Sequence, residues 1–139
     1  MHFTTLFILK GEKLENINHS IIEDLFSDRY CYNCGETRPR YRYWCDWFQI
    51  GGRWCDMLKA DRGIHCTRGY PNVGVPVNEG EFSVVQISEL KEPIDKKDIY
   101  AVATKSRLYE EGEEDYDRLI DAVNNKKFDG VIALIDCHD

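Results

Sequence analysis

The stretch "VIALIDCH", residues 131–138, decides the fold, because its positions are apolar in both parities until Asp136. A strand with one wet face alternates apolar and polar residues, whereas a continuous apolar run suits a central strand covered on both sides. The turn signal Asp129-Gly130 stands before it, and before that comes "EEDYDRLIDAVNNKKFDG" (113–130). There Tyr116, Leu119, Ile120 and Val123 recur at helical spacing, with acids in the first turn and lysines in the last, where they suit the helix dipole. The chain therefore ends as a helix followed by a buried strand.

The opposite end reads in a similar way. "HFTTLFIL" (2–9) is rich in β-branched and aromatic residues and stops at Lys10-Gly11, as a strand does at a turn. In "NINHSIIEDLFSDR" (16–29), Ile17, Ile21, Ile22, Leu25 and Phe26 repeat at helical spacing, with Asn16 or Asn18 as cap. Three further strands are expected in "YRYWCDWFQI" (41–50), "EFSVVQIS" (81–88) and "IYAVATKSRLYE" (99–110). The segment 61–80, with Pro71 and Pro76 and little periodicity, reads as a long loop. This order predicts one α+β domain over 1–139, with two helices on a mostly antiparallel sheet. The simplest such topology is a ferredoxin-like split βαβ arrangement, here carrying a basic insertion rich in Cys, Gly and Pro at 31–80. It places the last strand antiparallel beside the first, and so sets His2 next to His138.

At 139 residues, 42% hydrophobic and 31% charged, the chain has the composition of a soluble globular domain. No run approaches the roughly 18 apolar residues of a membrane helix, and the first residues lack the features of a secretory signal, so the cytoplasm is the default location. Net charge is −7, unevenly spread. From Arg38 to Arg68 seven Lys/Arg face three acids, leaving 11 basic and 22 acidic residues elsewhere. Such an island can attract a small anion or be the solvent face of a strand, while the acidic whole argues against general duplex-DNA binding.

Three constellations carry chemistry. Asp136 and His138 are two apart and share a strand face, and with His2 they form an acid and two imidazoles at one sheet edge. They are candidates for metal binding or general acid-base work, against the alternative of frayed chain ends. Cys137 points into the other layer as a small buried apolar residue. "CYNCGE" supplies Cys31 and Cys34 in the spacing of half a zinc site, which Cys45 or Cys55 would complete, with His65 and Cys66 also at hand. The alternatives are a redox pair or plain reduced cysteines, and reduced or metal-bound thiols are expected throughout the six.

The third constellation is "DWFQIGGRW" (46–54). Gly51 and Gly52 can leave their amides open to an anion, Arg53 offers a planar fork for phosphate, and Trp47 and Trp54 offer faces for a base. Together they would bind a nucleotide-like ligand. In the alternative, the glycines bend a strand, Arg53 pairs with Asp46 or Asp56, and the tryptophans fill the core.

With His2 in the first strand and the closing Asp136-Cys137-His138, this segment resembles a group of small uncharacterised bacteriophage and prophage proteins. Those proteins carry Asp-Trp-Tyr/Phe-x-x-Gly-Gly-Arg-Trp and end in Asp-Cys-His; "CYNCGE" lies outside that pattern. The resemblance implies a phage or mobile-element accessory protein. Its expected role is to inhibit a bacterial defence system, by binding a defence protein or by sequestering a nucleotide-like ligand. The alternative is a small metal-assisted phosphodiesterase or hydrolase using His2, Asp136 and His138, with Arg53 as electrophile.

Overall fold

The computed structural model describes residues 1–32, 44–66 and 79–139. In chain order its elements are β1 (His2–Lys10), α1 (His19–Tyr30), β2 (Trp47–Ile50), β3 (Leu58–Lys59), β4 (Glu81–Phe82), β5 (Val84–Gln86), β6 (Ala101–Ala103), β7 (Leu108–Glu110), α2 (Glu114–Asn124) and β8 (Gly130–His138). The main sheet runs β2-β8-β1-β6-β7, with β5 also paired to β8, and β3 and β4 form a separate ribbon. All pairings in the main sheet are antiparallel except β1 with β6. The fold is therefore α+β with two helices and a mostly antiparallel, mixed sheet.

Residues 131–137 of β8 are all buried, as their apolar run requires. Its residues split by parity between two cores. On one face Ala133, Ile135 and Cys137 join Phe7, Leu9 and the α1 residues Ile22, Phe26 and Tyr30. On the other, Ile132 and Leu134 join Leu6, Ile8 and the α2 residues Tyr116, Ile120 and Val123. The helices thus cover opposite faces, giving three layers. A ferredoxin-like sheet carries its helices on one side, and the strands here explain the difference, because β1 and β8 are apolar on both faces and each face needs a cover.

Local chemistry sets the element ends. Asn18 caps α1, its side chain accepting from the Ile21 amide at 2.9 Å. The stretch 99–110, expected as one strand, is a hairpin, because the Thr104 hydroxyl accepts from the Arg107 amide at 3.1 Å and turns the chain. The stretch 81–88 divides at Ser83, β4 pairing with β3 and β5 with β8. Of 41–50, residues 47–50 form β2 and 41–43 lie outside the described residues. The described parts of 31–80 are woven into the fold, since β2 borders β8 in the main sheet. Among the described residues no helix is long and apolar enough to cross a membrane.

Phe7 is fully buried against Phe26 and Tyr30, at ring separations of 5.3 and 6.5 Å. Phe7→Ala should cost about 3–5 kcal/mol in urea unfolding, through lost burial and the cavity left behind. Burial also pushes the Tyr30 hydroxyl up to about 12, from an ordinary value near 10. A raised folded value favours the neutral form, so this contribution is complete below about pH 10 and is lost as pH rises towards 12. Tyr30→Phe should flatten the loss of stability in that window, read from unfolding midpoints across alkaline pH.

Candidate functional site

The register of β8 assembles the site. His138 pairs with His2 on β1 and with Trp47 on β2, and the next row inward on that face holds Thr4, Asp136 and Gln49. The His2 and His138 rings meet edge to face at 4.7 Å, and Trp47 stacks on His138 at 4.9 Å. The expected approach of the two chain ends is thus observed. Cys137 faces the other way, fully buried in the α1-side core, with its sulfur 3.4 Å from the Thr5 hydroxyl.

Asp136 is fully buried, and a carboxylate there is tolerable only with strong hydrogen bonds. Its Oδ1 lies 2.8 Å from His2 Nδ1, and its Oδ2 accepts from the Arg53 amide at 3.0 Å. A carboxylate oxygen accepts, so His2 Nδ1 is the donor in this contact. The His2 side chain is itself mostly buried, at 11% exposure.

The two glycines belong to this arrangement. Both have left-handed backbone, with φ of 78° at Gly51 and 48° at Gly52. A Cβ on Gly52 would lie 2.3 Å from Asp136 Oδ2, and one on Gly51 would lie 2.4 Å from Cys66 Cβ. The turn can press onto Asp136 because it has no side chain there. Its amides are engaged by the protein itself: Gly51 donates to the Leu134 carbonyl at 2.8 Å and Arg53 donates to Asp136. The anion this loop receives is an internal carboxylate. The Arg53 side chain is exposed, and Trp54 is partly buried against the α2-side core.

Trp54 also walls two adjoining cavities of about 270 and 280 Å³, which share Thr4, Trp54, Asp98 and Ile99. His2, Tyr100 and Glu111 line the second, while Glu92 and Asp95 rim the first. The lysines lining the pair are Lys59 and Lys97, and Lys59 is tied to Glu92 at 3.2 Å. The groove is therefore acidic. Asp98, Tyr100 and Glu111 carry no motif, and their place in the groove follows only from the pairing of β1 with β6.

The cysteines divide differently from the sequence-based expectation. Cys55 and Cys66 form a disulfide, with Cα atoms 5.2 Å apart, so reduced thiols do not hold throughout and Cys55 does not complete a site with Cys31. The turn after β2 and the start of the 61–80 segment meet within the span that a disulfide bridges. Cys31, Cys45 and Cys137 are buried and lie outside the disulfide, and Cys34 lies outside the described residues. The Cys137 thiol beside Cys45, and then burial, push the Cys45 thiol well above its ordinary value, while Cys31 acts the other way. Among the described residues, the group that brings three metal-ligating atoms within 4.8 Å of one another is Cys55, Asp56 and Cys66, not His2, Asp136 and His138.

No protein-family model matches the chain, and no match is found among curated proteins or solved structures.

Gly52→Ala should lower stability by at least about 1–3 kcal/mol in urea unfolding, since it combines a left-handed residue with a methyl group driven into Asp136. Asp136→Ala should cost roughly 1–3 kcal/mol for each donor it orphans, and nitrogen-15 spectra should show His2 Nδ1 losing its hydrogen bond. A Gly52→Ala variant as stable as the parent would show that the turn does not press on the carboxylate.

Proposed function

We propose that the protein is a binding protein that captures a nucleotide-like small molecule in the groove between Trp54 and His2. The carrying observation is that His2, fixed by buried Asp136, lines the same cavity as Trp54. A tryptophan face stacks on a base, and an oriented imidazole reads one polar edge. The carboxylates of Asp98 and Glu111 accept from ribose hydroxyls or an exocyclic amine. Like charge keeps phosphates out of the groove, on the side of exposed Arg53, which immediately precedes Trp54. In the phage or mobile-element setting that the sequence resemblance implies, capture of this kind withdraws a nucleotide signal from a host defence system.

A thermal-shift panel of cyclic, dinucleotide and ADP-ribose-like compounds should find a stabilising ligand, and Trp54→Ala should abolish the shift. Arg53→Ala should weaken binding of phosphorylated members more than of the matching nucleosides. If no compound shifts the unmutated protein while a host defence protein co-purifies with it, the target is that protein.

The 2.8 Å contact between His2 and Asp136 favours a second reading, hydrolysis with His2 as general base. Product analysis after incubation with the same panel separates the two readings, because a sequestering protein returns its ligand intact.

A further inference from the structure

Against Gly51 of the same turn lies a second set of reactive groups that do not line the groove. Cys55 and Cys66 are half-buried and Asp56 is buried, and one sulfur from each cysteine and a carboxylate oxygen lie within 4.8 Å of one another. The carboxylate is already oriented. Its Oδ1 accepts from the Cys66 amide at 3.0 Å and from the Ser83 hydroxyl at 3.1 Å, and its Oδ2 lies 3.0 Å from His65 Nδ1. The His65 ring is held in turn by stacking on Phe82 at 4.9 Å.

We infer that Cys55, Asp56 and Cys66 form a zinc site in the reduced protein, which the disulfide closes. Tetrahedral zinc bonds to sulfur at about 2.3 Å and to oxygen at about 2.0–2.2 Å, which sets its ligands roughly 3.5 Å apart. With the sulfurs bonded, the three ligand atoms already lie within 4.8 Å of one another, so side-chain rotation after the bond opens is what the proposal requires. Two thiolates and a carboxylate suit zinc better than magnesium or calcium, which prefer all-oxygen sites. Three protein ligands leave the fourth position to water, on the half-exposed side of the pair. His65 and Ser83 act as positioning residues, because their bonds to Asp56 aim the carboxylate.

The chemistry balances with a dithiol reductant. The dithiol gives two electrons and two protons to the Cys55–Cys66 bond and closes to its own disulfide, leaving two protein thiols. Zinc then takes both sulfurs as thiolates, and the two thiol protons pass to solvent. A small-molecule disulfide reverses the path: it takes two electrons from the thiolates and two protons from solvent to become a dithiol, the Cys55–Cys66 bond re-forms, and zinc leaves. Cys55 and Cys66 therefore form a covalent staple under oxidising conditions and, with Asp56, a metal staple under reducing ones.

The test uses the full chain in two forms, one oxidised and one reduced with dithiothreitol and then desalted without air. Cobalt(II) titrated into the reduced form should give a thiolate-to-cobalt charge-transfer band and the visible bands of a tetrahedral ion. It should saturate at about one ion per chain and be displaced by zinc with loss of colour. The oxidised form should give neither band. Cys55→Ser and Cys66→Ser should abolish the signal, while Cys31→Ser and Cys137→Ser should leave it intact. His65→Ala keeps both cysteines, so its folding can be checked in the disulfide form, and once reduced it should bind cobalt roughly 10- to 100-fold more weakly. The inference fails if the reduced protein shows no thiolate band, or if the band survives in the Cys55→Ser, Cys66→Ser double variant. Survival there would place the metal on Cys31 and the remaining thiols.

Discussion

The buried carboxylate of Asp136 is the constraint on which the rest of the molecule depends. A charge with no exposure must find its partners inside the protein. They come from distant places, the His2 ring 134 positions away and the Arg53 amide 83 positions away. Satisfying one side chain therefore fixes three segments at once: the start of β1, the turn after β2 and the end of β8. It also locks the sheet register. A one-residue slip of β8 would turn Asp136 into the aromatic core beneath α1, where Phe7, Phe26 and Phe48 offer nothing to an anion, and would bring Cys137 out in its place.

Much of this architecture is legible in the sequence, and the parts that are not share a physical cause. β1, α2 and β8 stand in the chain as strong periodic patterns, and the meeting of His2 with His138 follows from pairing first and last strands. The position of the helices is recoverable too, because "VIALIDCH" is apolar on both faces and a two-layer fold would leave one of them wet. The hairpin at 101–110 is masked because its turn is made by a threonine hydroxyl rather than by glycine or asparagine. The Cys55–Cys66 bond is hidden because six cysteines permit many pairings and spacing cannot choose among them. Gly51-Gly52 is conspicuous in sequence, yet its reason lies in long-range partners, Asp136 and Cys66, that no local pattern announces.

Charge tells a similar story. The basic island of 38–68 suggests an anion-binding surface, but its described cations are largely answered by acids from elsewhere. Arg62 contacts Glu15 at 2.6 Å and Glu89 at 2.9 Å, and Lys59 contacts Glu92. These pairs are exposed and add little stability, but they offset the charge of Lys59 and Arg62. Arg38, Arg40, Arg42 and Arg68 lie outside the described residues. An acidic groove with an aromatic wall is the reverse of a nucleic-acid surface and suits a compact ligand that brings its own donors.

The two glycines also lie between the two proposed sites. Gly52 is pressed against Asp136, whereas the missing Cβ of Gly51 is filled from the opposite direction by Cys66 and, at 2.6 Å, by the Ser83 hydroxyl. That hydroxyl donates to Asp56, and it accepts from the Asp56 amide at 2.8 Å. The turn is thus a two-residue wall, with the His2–Asp136 pair on one side and the Cys55–Asp56–Cys66 group on the other. The same contacts account for two adjacent glycines, each at a position where a side chain would collide with a different site.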